Sequence, residues 1–132
     1  SGNSSIMERI KAKLSIWNIN SFGEFFMQIV DKYQDEYVIA CQKIIDERNY
    51  LFSQLQKNNL LRVIPTQANY FLCEVKPPYT ATQLTNELLC KSNILIKDCS
   101  KKTGFAGKQF VRIAIRNRAE NDALLYSLKN LN

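Results

Sequence analysis

An α+β fold is predicted for this 132-residue chain: a long N-terminal helical segment, then a small mixed or antiparallel sheet of three to four strands with helices on one face. Three observations predict it. Apolar residues recur at helical spacing through most of residues 21–57. Four short runs rich in β-branched and aromatic side chains follow, at residues 60–64, 69–75, 94–99 and 110–116. Two leucine-rich segments with N-terminal capping signals separate and close these runs, a mixture that fits helices gathered over a sheet rather than a doubly wound parallel one.

Residues 4–14 read as a short helix, which Trp17-Asn18-Ile19-Asn20 breaks with polar residues around an indole. Ser21-Phe22-Gly23-Glu24 is a capping box, with Ser21 as N-cap and Glu24 at N3, ahead of Phe25, Phe26, Ile29, Val30 and Tyr33. The stripe continues through Ala40, Cys41, Ile44, Ile45, Leu51, Phe52 and Leu55, which predicts an amphipathic helix, bent at Gln34-Asp35, to about residue 57. Asn58-Asn59 ends it. The strands at 60–64 and 69–75 flank Pro65, and Pro77-Pro78 turns the chain. Thr80-Ala81-Thr82-Gln83 is a second capping box, opening a helix with Leu84, Leu88 and Leu89 on one side that ends near Lys91. Residues 94–99 form the third strand and residues 104–107 a loop before the fourth. Asn117-Arg118-Ala119-Glu120 caps a last helix bearing Leu124, Leu125, Leu128 and Leu131.

With 45% hydrophobic and 23% charged residues the chain can build one real core. Its four cysteines (Cys41, Cys73, Cys90, Cys99) form no CxxC pair and it has no histidine, so neither a zinc site nor a cysteine–histidine nucleophile can be assembled. No metal is expected. Free cysteines, no secretory segment and no apolar run of membrane-spanning length fit a cytoplasmic protein without membrane contact. The net charge of +6 suggests anionic partners, but the lysines are scattered. Only Lys97, Lys101, Lys102 and Lys108 cluster, around the last two strands, where a small anion accounts for them as well as a nucleic acid does. Nucleic acid is not the expected partner. The chain starts at Ser1-Gly2 without methionine and is expected to be a fragment.

The fourth strand carries the chemistry. Period-two alternation sends Val111, Ile113 and Ile115 to one face and Phe110, Arg112, Ala114 and Arg116 to the other. Two arginines flanking a small Ala114 suit recognition of a carboxylate or phosphate by a planar fork. Equally, they suit an edge strand whose arginines face solvent or pair with Glu120 or Asp122. A complete active site is missing: there is no GxxxxGKS or GxGxxG loop and no GxSxG elbow. The carboxylates Glu47, Glu74 and Asp98 read as a helix-surface group, a strand-face group and a strand-end turn residue.

Pro65-Thr66-Gln67-Ala68-Asn69-Tyr70-Phe71-Leu72, Ile94-Leu95-Ile96-Lys97-Asp98-Cys99-Ser100, Gly104-Phe105, Phe110-Val111-Arg112-Ile113-Ala114-Ile115-Arg116 and Glu120-Asn121 together resemble one family. It is the C-terminal small domain of fold-type I pyridoxal-phosphate-dependent aminotransferases of class I/II, in the branch of histidinol-phosphate aminotransferase and threonine-phosphate decarboxylase. Asn3, Trp17-Asn18-Ile19-Asn20 and Glu47-Arg48 extend the resemblance over essentially the whole chain, while Asp98-Cys99-Ser100 and Arg116 look more like the decarboxylase. The resemblance implies residues 1–21 as an inter-domain or interface segment and residues 22–132 as the small domain.

It also implies a function: transamination or decarboxylation of an amino acid or phosphorylated amino acid by the full-length protein, a homodimer. Arg112 would bind the substrate α-carboxylate. Lys97, usually arginine in this family, would hold a substrate phosphate with a point charge in place of a fork. Arg116, Asn69 and Asn20 complete the implied substrate-binding set. The family's cofactor, pyridoxal phosphate, is held by a Ser-x-x-Lys lysine and other groups of an N-terminal large domain, so this chain would contain no catalytic or cofactor-binding residue and be inactive alone. The competing expectation is a non-catalytic basic α+β module that binds an anionic ligand or RNA.

Overall fold

The computed structural model of the chain describes residues 3–13, 19–105 and 107–131. Two units are distinct, Ser1–Val38 and Ile39–Asn132. In the first, α1 (Ser4–Lys11) is capped by Asn3, whose side chain accepts the Ser5 N–H at 3.0 Å. Leu14, Trp17 and Asn18 lie outside the described residues. α2 (Ser21–Ile29) leads into a 3₁₀ turn at Val30–Tyr33. The expected N-cap moves by one residue: Asn20, with extended backbone, accepts the Gly23 N–H on its side-chain oxygen at 2.8 Å, and Ser21 becomes the first helical residue. The interruption also falls in the 3₁₀ turn, just before the predicted bend at Gln34-Asp35. α3 (Gln34–Leu55) then runs on into the second unit.

That second unit holds a four-stranded antiparallel sheet, β1 (Leu61–Ile64), β2 (Tyr70–Val75), β3 (Lys97–Asp98) and β4 (Phe110–Ala114), in the order β1-β2-β4-β3. α4 (Ala81–Ser92) and α5 (Arg118–Lys129) complete it. One face of the sheet supplies Leu61, Phe71, Cys73, Val75, Val111 and Ile113 to the core. Leu51 and Leu55 of α3, Leu84 and Leu88 of α4, and Leu124 and Leu128 of α5 cover that same face. The opposite face has no helix of the core on it and carries Arg62, Glu74, Tyr70, Arg112 and Ala114.

Both later capping signals hold. Thr80 and Gln83 form a reciprocal box at the start of α4, and Asn117 accepts the Glu120 N–H at 3.0 Å at the start of α5. β1 and β2 each start one residue later than predicted, and β3 and β4 are shorter by more, each for a local reason. Asn93 is left-handed (φ 54°) after α4, and the Ile94 N–H returns to Leu88 O at 3.2 Å, so the helix end takes the backbone that would have begun β3. Leu95 is left 73% exposed. β4 stops at Ala114 because the Arg116 N–H is captured by the Asn121 side chain at 3.0 Å. In α4 the buried stripe is Ala81, Leu84, Thr85 and Leu88, which turns Leu89 outward. Phe110 falls on the Arg112 face by alternation, yet it is buried, with the Phe105 ring 5.0 Å away.

Candidate anion-binding site

Arg112 stands in the middle of the uncovered sheet face. Its Cα partner is Leu72 on the β2 side and Lys97 on the β3 side, so two cations face each other directly across a strand pair. Like charges in that position repel. Among the described residues neither Arg112 nor Lys97 pairs with a carboxylate; the ion pairs there are Arg62–Glu74, Lys91–Glu87, Arg116–Glu120 and Arg118–Glu47. The Arg112 guanidinium instead lies over the Tyr70 ring, 5.2 Å from its centroid. Tyr70 is opposite Ala114 in the β2–β4 register, so the space left by that small side chain is where the ring fits.

A groove of about 410 Å³ adjoins the pair, lined by Thr85, Leu95, Ile96, Lys97, Asp98, Arg112 and Ala114. Thr85 is buried there, with no hydrogen-bond partner for its Oγ1 among the described residues. Asp98 lines the same groove but forms no ion pair with either cation. Its carboxylate accepts the Ser100 N–H at 2.8 Å and the Thr82 hydroxyl at 2.6 Å, which ties it to α4. Burial alone would raise its pKa, but those hydrogen bonds and the charge of Lys101 outweigh burial and hold it below the ordinary carboxyl range. It stays charged and occupied.

The other expected site residues are placed elsewhere. Arg116 lies beyond β4 and grips Glu120, with Nη2 to Oε1 at 3.1 Å and Nε to Oε2 at 3.3 Å, so it takes the ion-pair alternative while Arg112 remains the open fork. It therefore does not continue the strand face of Arg112. Asn69 is exposed, and its backbone carbonyl accepts the Ile115 N–H at 2.9 Å, joining the chain ahead of β2 to the chain after β4. Asn20 belongs to the first unit as the cap of α2.

Sequence reasoning missed Tyr70 as the partner of Arg112, because a diagonal contact needs the β2–β4 register. It also missed the role of Asn121, which is 1% exposed. The Asn121 amide donates to Arg116 O at 2.8 Å and to Glu47 at 2.9 Å. Glu47 is thus no plain helix-surface group: it is held between Asn121 and Arg118, and the Arg118 guanidinium above all keeps its carboxyl below the usual range. Arg118 in turn lies 3.6 Å from the Tyr50 ring centroid, and the Tyr50 hydroxyl donates to Asp122.

Residues 16–128 match the family model for aminotransferases of class I and II. This chain belongs to that family. Its members depend on pyridoxal phosphate, and its relatives here include aminotransferases and decarboxylases. Over 115 residues the chain is 30% identical to the L-serine phosphate decarboxylase of Campylobacter jejuni, a match covering 86% of this chain and 29% of that protein. It is 29% identical over 122 residues to the CMP-5'-(3-aminopropyl)phosphonate synthase of Streptomyces rubellomurinus, covering 92% of this chain and 19% of that one. Among solved structures, the histidinol-phosphate aminotransferase from Clostridium acetobutylicum superposes with a TM-score of 0.79 at 32% identity, over 98% of this chain and 38% of the other. The chain thus spans well under half the length of each of these relatives. The expected α+β class, with an antiparallel sheet and helices on one face, matches that aminotransferase fold.

Proposed function

We propose that this chain is the part of a pyridoxal-phosphate-dependent aminotransferase or decarboxylase that grips the substrate carboxylate, the substrate being an amino acid or phosphorylated amino acid. The observation that carries this reading is the opposition of Lys97 and Arg112 on an uncovered sheet face, with no described carboxylate ion-paired to either. An arrangement that is repulsive when empty becomes favourable when an anion enters. Arg112 offers two parallel N–H donors to a carboxylate, while Lys97 offers a compact charge to a second anionic group such as a phosphate. Asn69 steadies the strand beside them through its carbonyl. Arg116 supplies less, since Glu120 occupies its fork.

The cofactor does not fit the described residues. A Schiff-base lysine works from a desolvated pocket, and every described lysine is exposed. In this reading a large domain outside residues 1–132 holds the cofactor, residues 1–21 form the interface segment, residues 22–132 the small domain, and the complete protein is a homodimer. Chemistry at the substrate then belongs to the complete protein, and this chain's share is to bind and orient.

The test uses the complete protein that contains this chain. Arg112→Lys keeps the charge and loses the fork, and breaking a desolvated charge pair lowers kcat/KM by about 30-fold to several thousand-fold, from about 2–5 kcal/mol. Lys97→Ala should lower kcat/KM only for phosphorylated amino acids. An Arg112→Lys enzyme within about twofold of wild type would overturn the reading.

A further inference from the structure

We propose that Tyr70 is the positioning residue for Arg112: its ring draws the guanidinium toward β2, away from Lys97, and so keeps open between the two cations the space that an anion enters. The inference rests on the reading of Arg112 as a carboxylate ligand and adds to it the element that sets the arginine's direction.

The geometry follows from strand order. β4 lies between β2 and β3, so Tyr70 and Lys97 flank Arg112 from opposite sides. Lys97 is directly opposite and repels. Tyr70 pairs with Ala114 and is therefore the diagonal neighbour of Arg112, within reach of long side chains, and its ring attracts the cation at 5.2 Å. Ala114 is too small to compete for the space. Both forces act in one direction. An exposed arginine otherwise samples many rotamers, and each one that points away lowers the fraction ready to bind, which weakens apparent affinity in proportion. A ring beneath the guanidinium restricts it to stacked orientations whose N–H edge remains free for a ligand. Tyr70 is itself 39% exposed, so the stack stands open to a small molecule. The hydroxyl plays no part in this attraction, which makes phenylalanine an adequate replacement and leucine or valine an inadequate one.

The experiment titrates the 132-residue chain with O-phosphoserine, a probe carrying both a carboxylate and a phosphate, and follows the Arg112 side chain by NMR. Wild type and Tyr70→Phe should show Arg112 δ-methylene protons shifted upfield by the ring, and equal affinity for the probe. Tyr70→Leu and Tyr70→Val, two ring-free variants in case one folds poorly, should lose the upfield shift and bind about two- to fivefold more weakly. Arg112→Lys should bind more weakly still. If the ring-free variants bind as tightly as wild type while Arg112→Lys does not, the positioning role is overturned and the carboxylate reading survives. If wild type fails to bind, or Arg112→Lys binds as wild type does, the carboxylate reading falls and takes the positioning role with it.

Discussion

Cys73 lies on the core face of β2 with no exposed surface, and burial pushes its thiol from an ordinary value of 9.0 up to about 12. A thiolate there would have neither solvent nor a cation. The linkage has a definite sign. Below about pH 9 both folded and unfolded chains keep the proton, so the thiol's contribution is fully present. Between about 9 and about 12 the unfolded chain releases the proton while the folded chain retains it, so stability falls as pH rises through that window. Urea midpoints measured at intervals from pH 8 to about 11 should therefore decline more steeply for wild type than for Cys73→Val, whose β-branched side chain suits a core strand. Parallel declines would show that other groups carry the alkaline loss. At this same scale the two arginines of residues 110–116 were legible from the sequence as candidate anion ligands, because alternation needs nothing beyond the period of a strand. The partner of each was not. Whether an arginine finds Glu120, as Arg116 does, or a tyrosine ring, as Arg112 does, depends on where β4 ends and on the register with β2.

Helix starts were easier to read than strand ends. A cap is a contact between residues three apart, as in Thr80 with Gln83 and Asn117 with Glu120, so its signal is complete within the sequence window. The end of β4 is decided instead by Asn121 from within α5, which holds both backbone polar groups of Arg116 and a carboxylate of α3 at once. Asn121→Ala should leave the Arg116 N–H and C=O and one Glu47 lone pair without these partners in a half-buried junction, and lower stability by about 1–3 kcal/mol. Asn121→Asp retains the acceptor but faces Glu47 with a second carboxylate, so it should rescue little at neutral pH and more as pH falls. Chemical denaturation of the two variants at pH 5 and pH 7 reads both effects. A loss within about 0.5 kcal/mol for Asn121→Ala, the ordinary range of surface changes, would mean that the junction is held by packing alone.

For the whole molecule, apolar exposure is unevenly spread. The first unit shows solvent Phe22 at 84%, Met27 at 61%, Phe25 at 59% and Phe26 at 57%, on a helix that is capped and regular. Monomeric soluble proteins seldom leave several large side chains of one short helix bare. We expect the isolated chain to self-associate through α2, and Phe22→Ser with Phe26→Ser to shift it toward monomer. Sedimentation velocity over a range of concentrations decides this, and a wild-type chain that stays monomeric throughout would remove the case for a covering partner. The α+β architecture itself was legible, since helical and strand periodicities each fill their own stretch of the chain. What the sequence left unwritten was the order β1-β2-β4-β3, which depends on how strands distant in the chain are brought together over α4 and α5.

Half of the site's charge stands on β3, a strand of two residues. Its alignment with β4 is maintained by the pairs Lys97–Arg112 and Asp98–Val111, and just past them by the Cys99 N–H on Phe110 O at 2.8 Å. Neighbouring strands lie about 4.8 Å apart, so the roots of the two cations are separated by a distance that the backbone fixes and side-chain motion cannot change. The ladder is in effect a ruler with two marks. Slipping β3 by one residue would carry Lys97 to the core side and bring the Asp98 carboxylate round to face Arg112. The register that closes the sheet edge thereby decides whether Arg112 faces a second cation, with room for an anion between them, or a carboxylate that would fill its fork.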